Sequence, residues 1–250
     1  MIRILLWSTP ALRLWVVAAF LLFWEAAART GVVDPVFFGM PSGVASFFVA
    51  EYHALAGDLL WTLAGALLSF LVGSAAAILL GLAFLASPKL EEVLDPILAA
   101  LNSMPRIALA PLFLIWFGLG LSSKVAMGAS LTFFIVLSST VAGGKAVAAD
   151  HLTLATTLNA SAAQRFFHFV LPTAVPTIFS GLRLGLIYAL LGVVGSEIIA
   201  AEHGLGQQVA LLASGFKTNG VLAILLVLAL VGAGLSQVMT SIEHRLLRWR

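Results

Sequence analysis

Residues 150–186 read DHLTLATTLNASAAQRFFHFVLPTAVPTIFSGLRLGL, the longest polar-containing interval between two strongly apolar segments of the chain. Leu152, Ala155, Leu158 and Ala162 recur at helical spacing, and Asp150 or Thr153 can cap the first turn. A second apolar set, Phe166, Phe169 and Val170, follows after a break, so two short helices are expected. Asn159 sits between them. After Gly, Asn is among the residues that most readily take the left-handed backbone conformation needed to turn sharply out of a helix; the plainer alternative is a solvated loop residue. Pro172 and Pro176 stand just before the chain turns apolar again, which points to a folded loop at a membrane surface.

The rest of the chain explains why a membrane is involved. Of 250 residues, 61% are hydrophobic and only 10% charged, whereas soluble domains carry about a quarter charged residues. Apolar runs of roughly 20 residues, the length that crosses a bilayer, recur throughout. Six spans are expected, at 12–29, 59–85, 95–117, 124–142, 177–199 and 220–242. With the amino terminus inside, inner segments carry Arg3, Arg13, Lys89, Lys145, Arg165, Arg245, Arg248 and Arg250, and outer segments carry Arg29, Lys124 and Lys217. Eight against three places both termini in the cytoplasm, the basic tail with Trp249 forming an inner anchor. The chain therefore reads as one all-α integral membrane domain over 1–250, with its core at 59–242 and a cytoplasmic loop at 143–176 between the fourth and fifth spans. The first span also fits a signal peptide, since Arg3 and Arg13 precede an apolar core that ends in Ala26-Ala27-Ala28.

The loop resembles the signature segment of permease subunits of bacterial ATP-binding-cassette (ABC) importers. That pattern is Glu-Ala-Ala, three residues, Gly, nine residues, Ile, one residue, Leu-Pro. Aligned on Leu171-Pro172, it falls on Thr153, Leu154 and Ala155, then Asn159, then Phe169. Ala155, Leu171 and Pro172 match, while Thr153 replaces Glu and Asn159 replaces Gly in the way that best preserves a turn. SPKLEEVLDPILAALNSMPRIALAPLFLIWFGLG (87–120), GLRLGLIYALLGVVGSEIIAAEHGLG (181–206) and Thr62-Leu63 resemble the nitrate, sulfonate and taurine branch of these permeases. The resemblance implies a type I ABC importer permease-like fold in the bacterial inner membrane. It implies a coupling helix built from Thr153, Leu154, Ala155, Leu158, Asn159, Ala160 and Ser161, supported by Phe169, Leu171 and Pro172. It further implies a homodimer around a central path, two cytoplasmic ATPase subunits that hold ATP and Mg2+, and an external substrate-binding protein. The implied cargo is a small oxyanion such as nitrate, a sulfonate or taurine; relatives in the branch are also associated with vitamins and pyrimidine precursors.

Candidate residues elsewhere follow from pattern. Gly65, Ser69, Gly73, Ala77 and Gly81 recur every fourth residue in the second span and present a small-residue face for close helix packing, as do Gly181, Gly185 and Ala189 in the fifth. Pro96, Pro105 and Pro111, with Asn102 and Ser103, predict a kinked or broken third span. Arg106 sits beside that break as a functional candidate, with pairing or snorkelling as the alternative. Thr132, Ser138, Ser139 and Tyr188 can line a pathway between the fourth and fifth spans, or bond within their own helices. Arg183 suits a transient anion contact or a structural one. Glu197 lies about 21 Å further along the same helix, so the two cannot pair; it matches a carboxylate position of the branch that the chain resembles, and the resemblance implies that it anchors the outer loop. Between the first two spans, Asp34-Pro35 and Met40-Pro41 mark turns, Ser42 can cap a short external helix towards Tyr52, and Glu25 pairs with Arg29.

Several function classes drop out. With no cysteine, thiol catalysis and thiolate metal sites are excluded, and the five His lack ligand spacing for a metal. No phosphate-binding Gly-x-x-x-x-Gly-Lys-Ser/Thr segment is present, so the chain is read as a transport subunit without its own ATPase site. Gly128-Ala129-Ser130-Leu131 has the outline of an intramembrane serine protease motif, but every His falls in a loop or at an end. A net charge of +2 gives no pointer to nucleic acid. The remaining alternative is an ion-coupled secondary transporter, against which stand the lack of an internal repeat and of a deep carboxylate.

Overall fold

The computed structural model describes residues 9–246. Its helices are α1 (Thr9–Arg29), α2 (Pro35–Phe38), α3 (Pro41–Ala86), α4 (Pro88–Ser103), α5 (Ala110–Phe117), α6 (Leu121–Lys145), α7 (Ala149–Thr157), α8 (Ala162–Arg165), α9 (Leu171–Ile199), α10 (Leu205–Ser214) and α11 (Thr218–Leu246). A 3-10 turn (Arg106–Leu109) precedes α5 and a π turn (Phe166–Val170) precedes α9; no strand occurs among the described residues. Arg3, Arg248, Trp249 and Arg250 lie outside the described residues. Five helical stretches are long and apolar enough to cross a membrane, and six if the bent pair of 88–103 and 106–117 counts as one span.

That pair bends by 86°, as the proline pattern predicts, and the break falls at Met104-Pro105. Met104 is extended (φ −71°, ψ 137°), because a residue before proline is driven out of the helical region. Pro96 stays inside α4, and Pro111 occupies the first turn of α5, where its missing N–H has no helical partner to lose.

Two expectations are corrected. A short external helix followed by a separate span was expected between 42 and 85, whereas α3 runs unbroken for 46 residues. In the gap expected between the two helices, from 53 to 58, the one residue of low helix propensity able to interrupt it is Gly57, and one mid-helix glycine costs about 1 kcal/mol, too little to end a helix. Ser42 is accordingly not a cap, and its hydroxyl donates to Glu25 at 2.7 Å. The second loop helix is not separate either. α8 is a single turn that runs through the π turn into α9, forming a continuous apolar stretch at 162–199. Pro172 cannot donate to the carbonyl of His168 and its ring crowds that carbonyl, and the widened π turn accommodates the conflict.

The chain forms two compact units, one of 1–57 and 208–229, the other of 58–207 and 230–250. In the first, Glu25 accepts from Arg29 Nε at 2.7 Å and from the Ser42 N–H at 3.0 Å, which ties α1 to the start of α3. Asp34 caps α2 by accepting the Val36 N–H at 2.8 Å, and Asn219 of α11 accepts the Met40 N–H at 2.9 Å.

The second unit is built on close helix packing. A Cβ placed on Gly73 would lie 2.7 Å from the Ala129 carbonyl oxygen, and one on Gly128 would lie 2.9 Å from that of Ala189. The small-residue face of α3 therefore meets α6, and α6 meets α9, at backbone contact. Ala77, Val136 and Leu137 form the buried centre, with Ile78, Leu98, Phe133 and Leu182 around it. Thr132 and Thr140 are satisfied locally inside this packing, whereas the buried hydroxyls of Ser74 and Ser196 have no hydrogen-bond partner among the described residues. The Thr132 hydroxyl lies 3.0 Å from the carbonyls of both Gly128 and Gly185.

Candidate functional site

Three polar constellations stand out in the second unit, and each begins with a local sequence signal. The first is the loop segment. Neither Asp150 nor Thr153 caps α7, because the helix begins earlier, at Ala149, with Ala148 at its N-cap and no side-chain bond there. Asp150 instead lies in the first turn, where its charge favours the helix dipole. Asn159 closes the helix as expected, in the left-handed conformation at φ 56°. Its N–H donates to Thr156 O at 3.0 Å, and the Ala160 N–H reaches back to Ala155 O at 2.9 Å, the paired bonds of a left-handed helix stop.

Ser161 then starts α8 with a reciprocal cap. Its hydroxyl accepts the Gln164 N–H at 3.2 Å, and Gln164 Oε1 accepts the Ser161 N–H at 2.8 Å. The Ser-x-x-Gln spacing was available in the sequence as a start signal. The result is a short stiff unit with two faces: Ala155 is 1% exposed, while Leu154 and Leu158 are 54% and 71% exposed. Leu154 and Leu158 are four apart and share one side of the helix. Phe169 lies in the π turn and Leu171-Pro172 opens α9, all three half-buried.

The second constellation surrounds an open-sided cavity of about 840 Å³ between the α4–α5 break, α6 and α9. Arg106, Ser138, Ser139 and Tyr188 line it together, and Arg106 is the one charged residue among the lining side chains. Its Nη1 donates to Ser130 O at 2.7 Å, its Nη2 donates to Asn102 Oδ1, and its guanidinium sits 4.0 Å from the Phe134 ring centroid. The chain break at Pro105 is what brings Arg106 to the cavity wall. Thr132 and Arg183 are not among the lining residues. Thr132 is fully buried in the α6–α9 contact, and Arg183 of α9 is ion-paired with Glu243 of α11.

The third constellation was only half legible. Glu197, 1% exposed, accepts from Lys124 Nζ at 3.0 Å, from the Thr62 hydroxyl at 2.9 Å and from the Gly206 N–H at 2.9 Å. Lys124, 2% exposed, also donates to His203 O, and Asp58 accepts the Gly204 N–H at 2.9 Å. Glu197 thus anchors the 203–206 turn, as expected, whereas Lys124, expected as an outer loop charge, is its buried partner. The available signal was that a carboxylate within an apolar helix needs a partner. Among the described residues, no group of three His, Asp or Glu could hold a metal ion.

Residues 69–248 match the family model of binding-protein-dependent transport system inner membrane components. The chain is 32% identical to the taurine transport system permease protein TauC of Escherichia coli (strain K12), over 99% of this chain and 94% of that protein. It is 35% identical to the riboflavin transport system permease protein RibX of Chloroflexus aurantiacus, over 96% of this chain and 91% of that protein. Among solved structures, an amino acid ABC transporter crystallised with histidines shares the fold at a TM-score of 0.67 and 18% identity, covering 79% of this chain and 96% of that one.

Proposed function

The chain belongs to the family of binding-protein-dependent transport system inner membrane components, and from that membership we propose how it works as the permease subunit of an ABC importer. Two copies pair around a central path with both termini in the cytoplasm. Two separate ATPase subunits, which carry ATP and Mg2+, dock on the α7 segments, and an external binding protein delivers cargo. ATP-driven closure of the ATPases displaces α7 as a rigid body and switches access to the path.

The observation that carries this reading is the two-faced α7. Leu154 and Leu158 stand exposed on a helix closed by Asn159 and backed by Ala155, so a partner gripping the outer face moves the permease body through the inner one. The cargo is a small oxyanion, of which taurine, named for the relative TauC, is the first to try. A vitamin is the second reading, favoured by the 35% identity to RibX.

Because the chain has no cysteine, single cysteines test the docking directly. Leu158→Cys is expected to crosslink to a co-expressed ATPase with a yield that ATP changes, whereas Ala155→Cys, facing inward, stays unreactive. Absence of the Leu158→Cys crosslink in folded protein, or full uptake by the purified chain without an ATPase, overturns the reading. Uptake that survives a gradient-collapsing ionophore while ATP is maintained separates this mechanism from ion coupling. Taurine against riboflavin, offered to proteoliposomes of the complete transporter, decides the cargo.

A further inference from the structure

We infer that Arg106, rather than Arg183, is the residue that selects anionic cargo, holding one oxyanion group in the cavity beside the α4–α5 break. The inference rests on reading that cavity as the translocation path. The sequence offers Arg183 for an anion contact or a structural one, and its ion pair with Glu243 is structural. Arg106 has no carboxylate partner among the described residues, and two of its N–H groups are committed, to Ser130 O and Asn102 Oδ1. A guanidinium has five. Those two bonds and the Phe134 face, 4.0 Å away, fix its plane and leave the remaining donors for a ligand.

The hydroxyls divide the same way. Ser130, Thr132, Thr140 and Ser180 each bond a carbonyl of their own helix. Ser138, Ser139 and Tyr188, which line the cavity, have no hydrogen-bond partner among the described residues. Unspent hydroxyls around one fixed cation are what a sulfonate or nitrate group can use, since each oxygen accepts and none needs to donate. Among the described residues no Asp, Glu or His lines the cavity, so a cationic ligand meets no counter-charge, and a neutral one accepts hydrogen bonds from the guanidinium without the ion-pair attraction that an anionic group adds. A single charge in a cleft whose other lining groups are uncharged also raises the local concentration of the opposite sign.

The test reads the charge preference of the cavity without depending on the natural cargo. In the assembled transporter, Ser138→Cys is labelled with an anionic and with a cationic methanethiosulfonate of similar size, and the ratio of the two rates is measured. Changing Arg106→Gln is expected to lower the anionic-to-cationic ratio roughly tenfold, Arg106→Lys to keep most of it, and Arg183→Gln to leave it unaltered. In the unsubstituted background, millimolar nitrate is expected to slow the anionic reagent at Ser138→Cys and to have no effect at Leu158→Cys. This second measurement stands even if Arg106→Gln does not fold. An unchanged ratio in folded Arg106→Gln, or equal loss in Arg183→Gln, overturns the inference. Uptake of taurine and nitrate by the same preparations separates the two claims. A ratio that falls without uptake of either compound upholds the cavity's selectivity and removes the oxyanion-bearing cargo. Uptake that Arg106→Gln leaves untouched, with an unchanged ratio, does the reverse.

Discussion

Replacing Lys124 by Met leaves Glu197 as a carboxylate that is 1% exposed, with only the Thr62 hydroxyl and the Gly206 N–H to stabilise it. At 3.0 Å the lost attraction is about 5 kcal/mol for an effective dielectric of about 20. Both ions were dehydrated to form the pair, so its net worth against apolar residues of similar volume is near zero, whereas removal of one partner costs about 3–5 kcal/mol. Lys124→Met and Glu197→Leu are each expected to destabilise by that amount. The double substitution should lose at least about 2 kcal/mol less than the sum of the singles. Denaturant unfolding in detergent measures the global term. The local term has its own reporter, because Trp61 stacks on His203, with centroids 5.3 Å apart and planes 15° apart, at the turn this ion pair holds. The emission change that disappears in a Trp61→Phe background should therefore precede global unfolding in Lys124→Met. A loss below about 1 kcal/mol for Lys124→Met, or single effects that simply add, would refute the reasoning and make the pair a screened surface contact.

Three other outcomes follow from the same geometry. Gly73→Ala drives a Cβ to 2.7 Å from the Ala129 carbonyl and should cost about 1–3 kcal/mol. Gly57→Ala, in the same helix with nothing within 4 Å, should gain up to about 1 kcal/mol from helix propensity; unfolding of the two variants side by side checks both. Asn159→Gly should keep ATP-dependent uptake, whereas Asn159→Val, forced to φ 56°, should strain the turn by about 1–2 kcal/mol and uncouple ATP hydrolysis from transport, read as a raised ratio of ATP hydrolysed to cargo moved. Arg183→Gln together with Glu243→Gln should change stability by less than about 1 kcal/mol, because the arginine side chain is 35% exposed, and should leave cargo selectivity unaltered in uptake competition.

The turn at Asn159 was legible because its signal is local. Asn159 between two helical patterns has few conformations open to it, and the structure places it at positive φ with the expected turn around it. The break in the third span was legible for the same reason, since Pro105 removes a donor and bars the helical conformation of Met104 wherever the chain goes. The small-residue faces were legible as faces, but Ser42, Lys124, Arg106 and Arg183 were not assignable, because the partner of each is distant along the chain or across a break. Ser42 stands 17 residues from the carboxylate it bonds, Lys124 stands 73 from Glu197, and Arg183 stands 60 from Glu243.

What the sequence determined by itself was the medium, the helices and the places where helices must stop. These follow from apolar length and from backbone chemistry that acts within a few residues. Only the tertiary structure decided which charges are spent. A charge buried between apolar helices must find a partner, and packing the Gly73, Gly128 and Gly185 contacts sets α3, α6 and α9 close enough to give Glu197 to Lys124 while the Pro105 break brings Arg106 to the cavity wall.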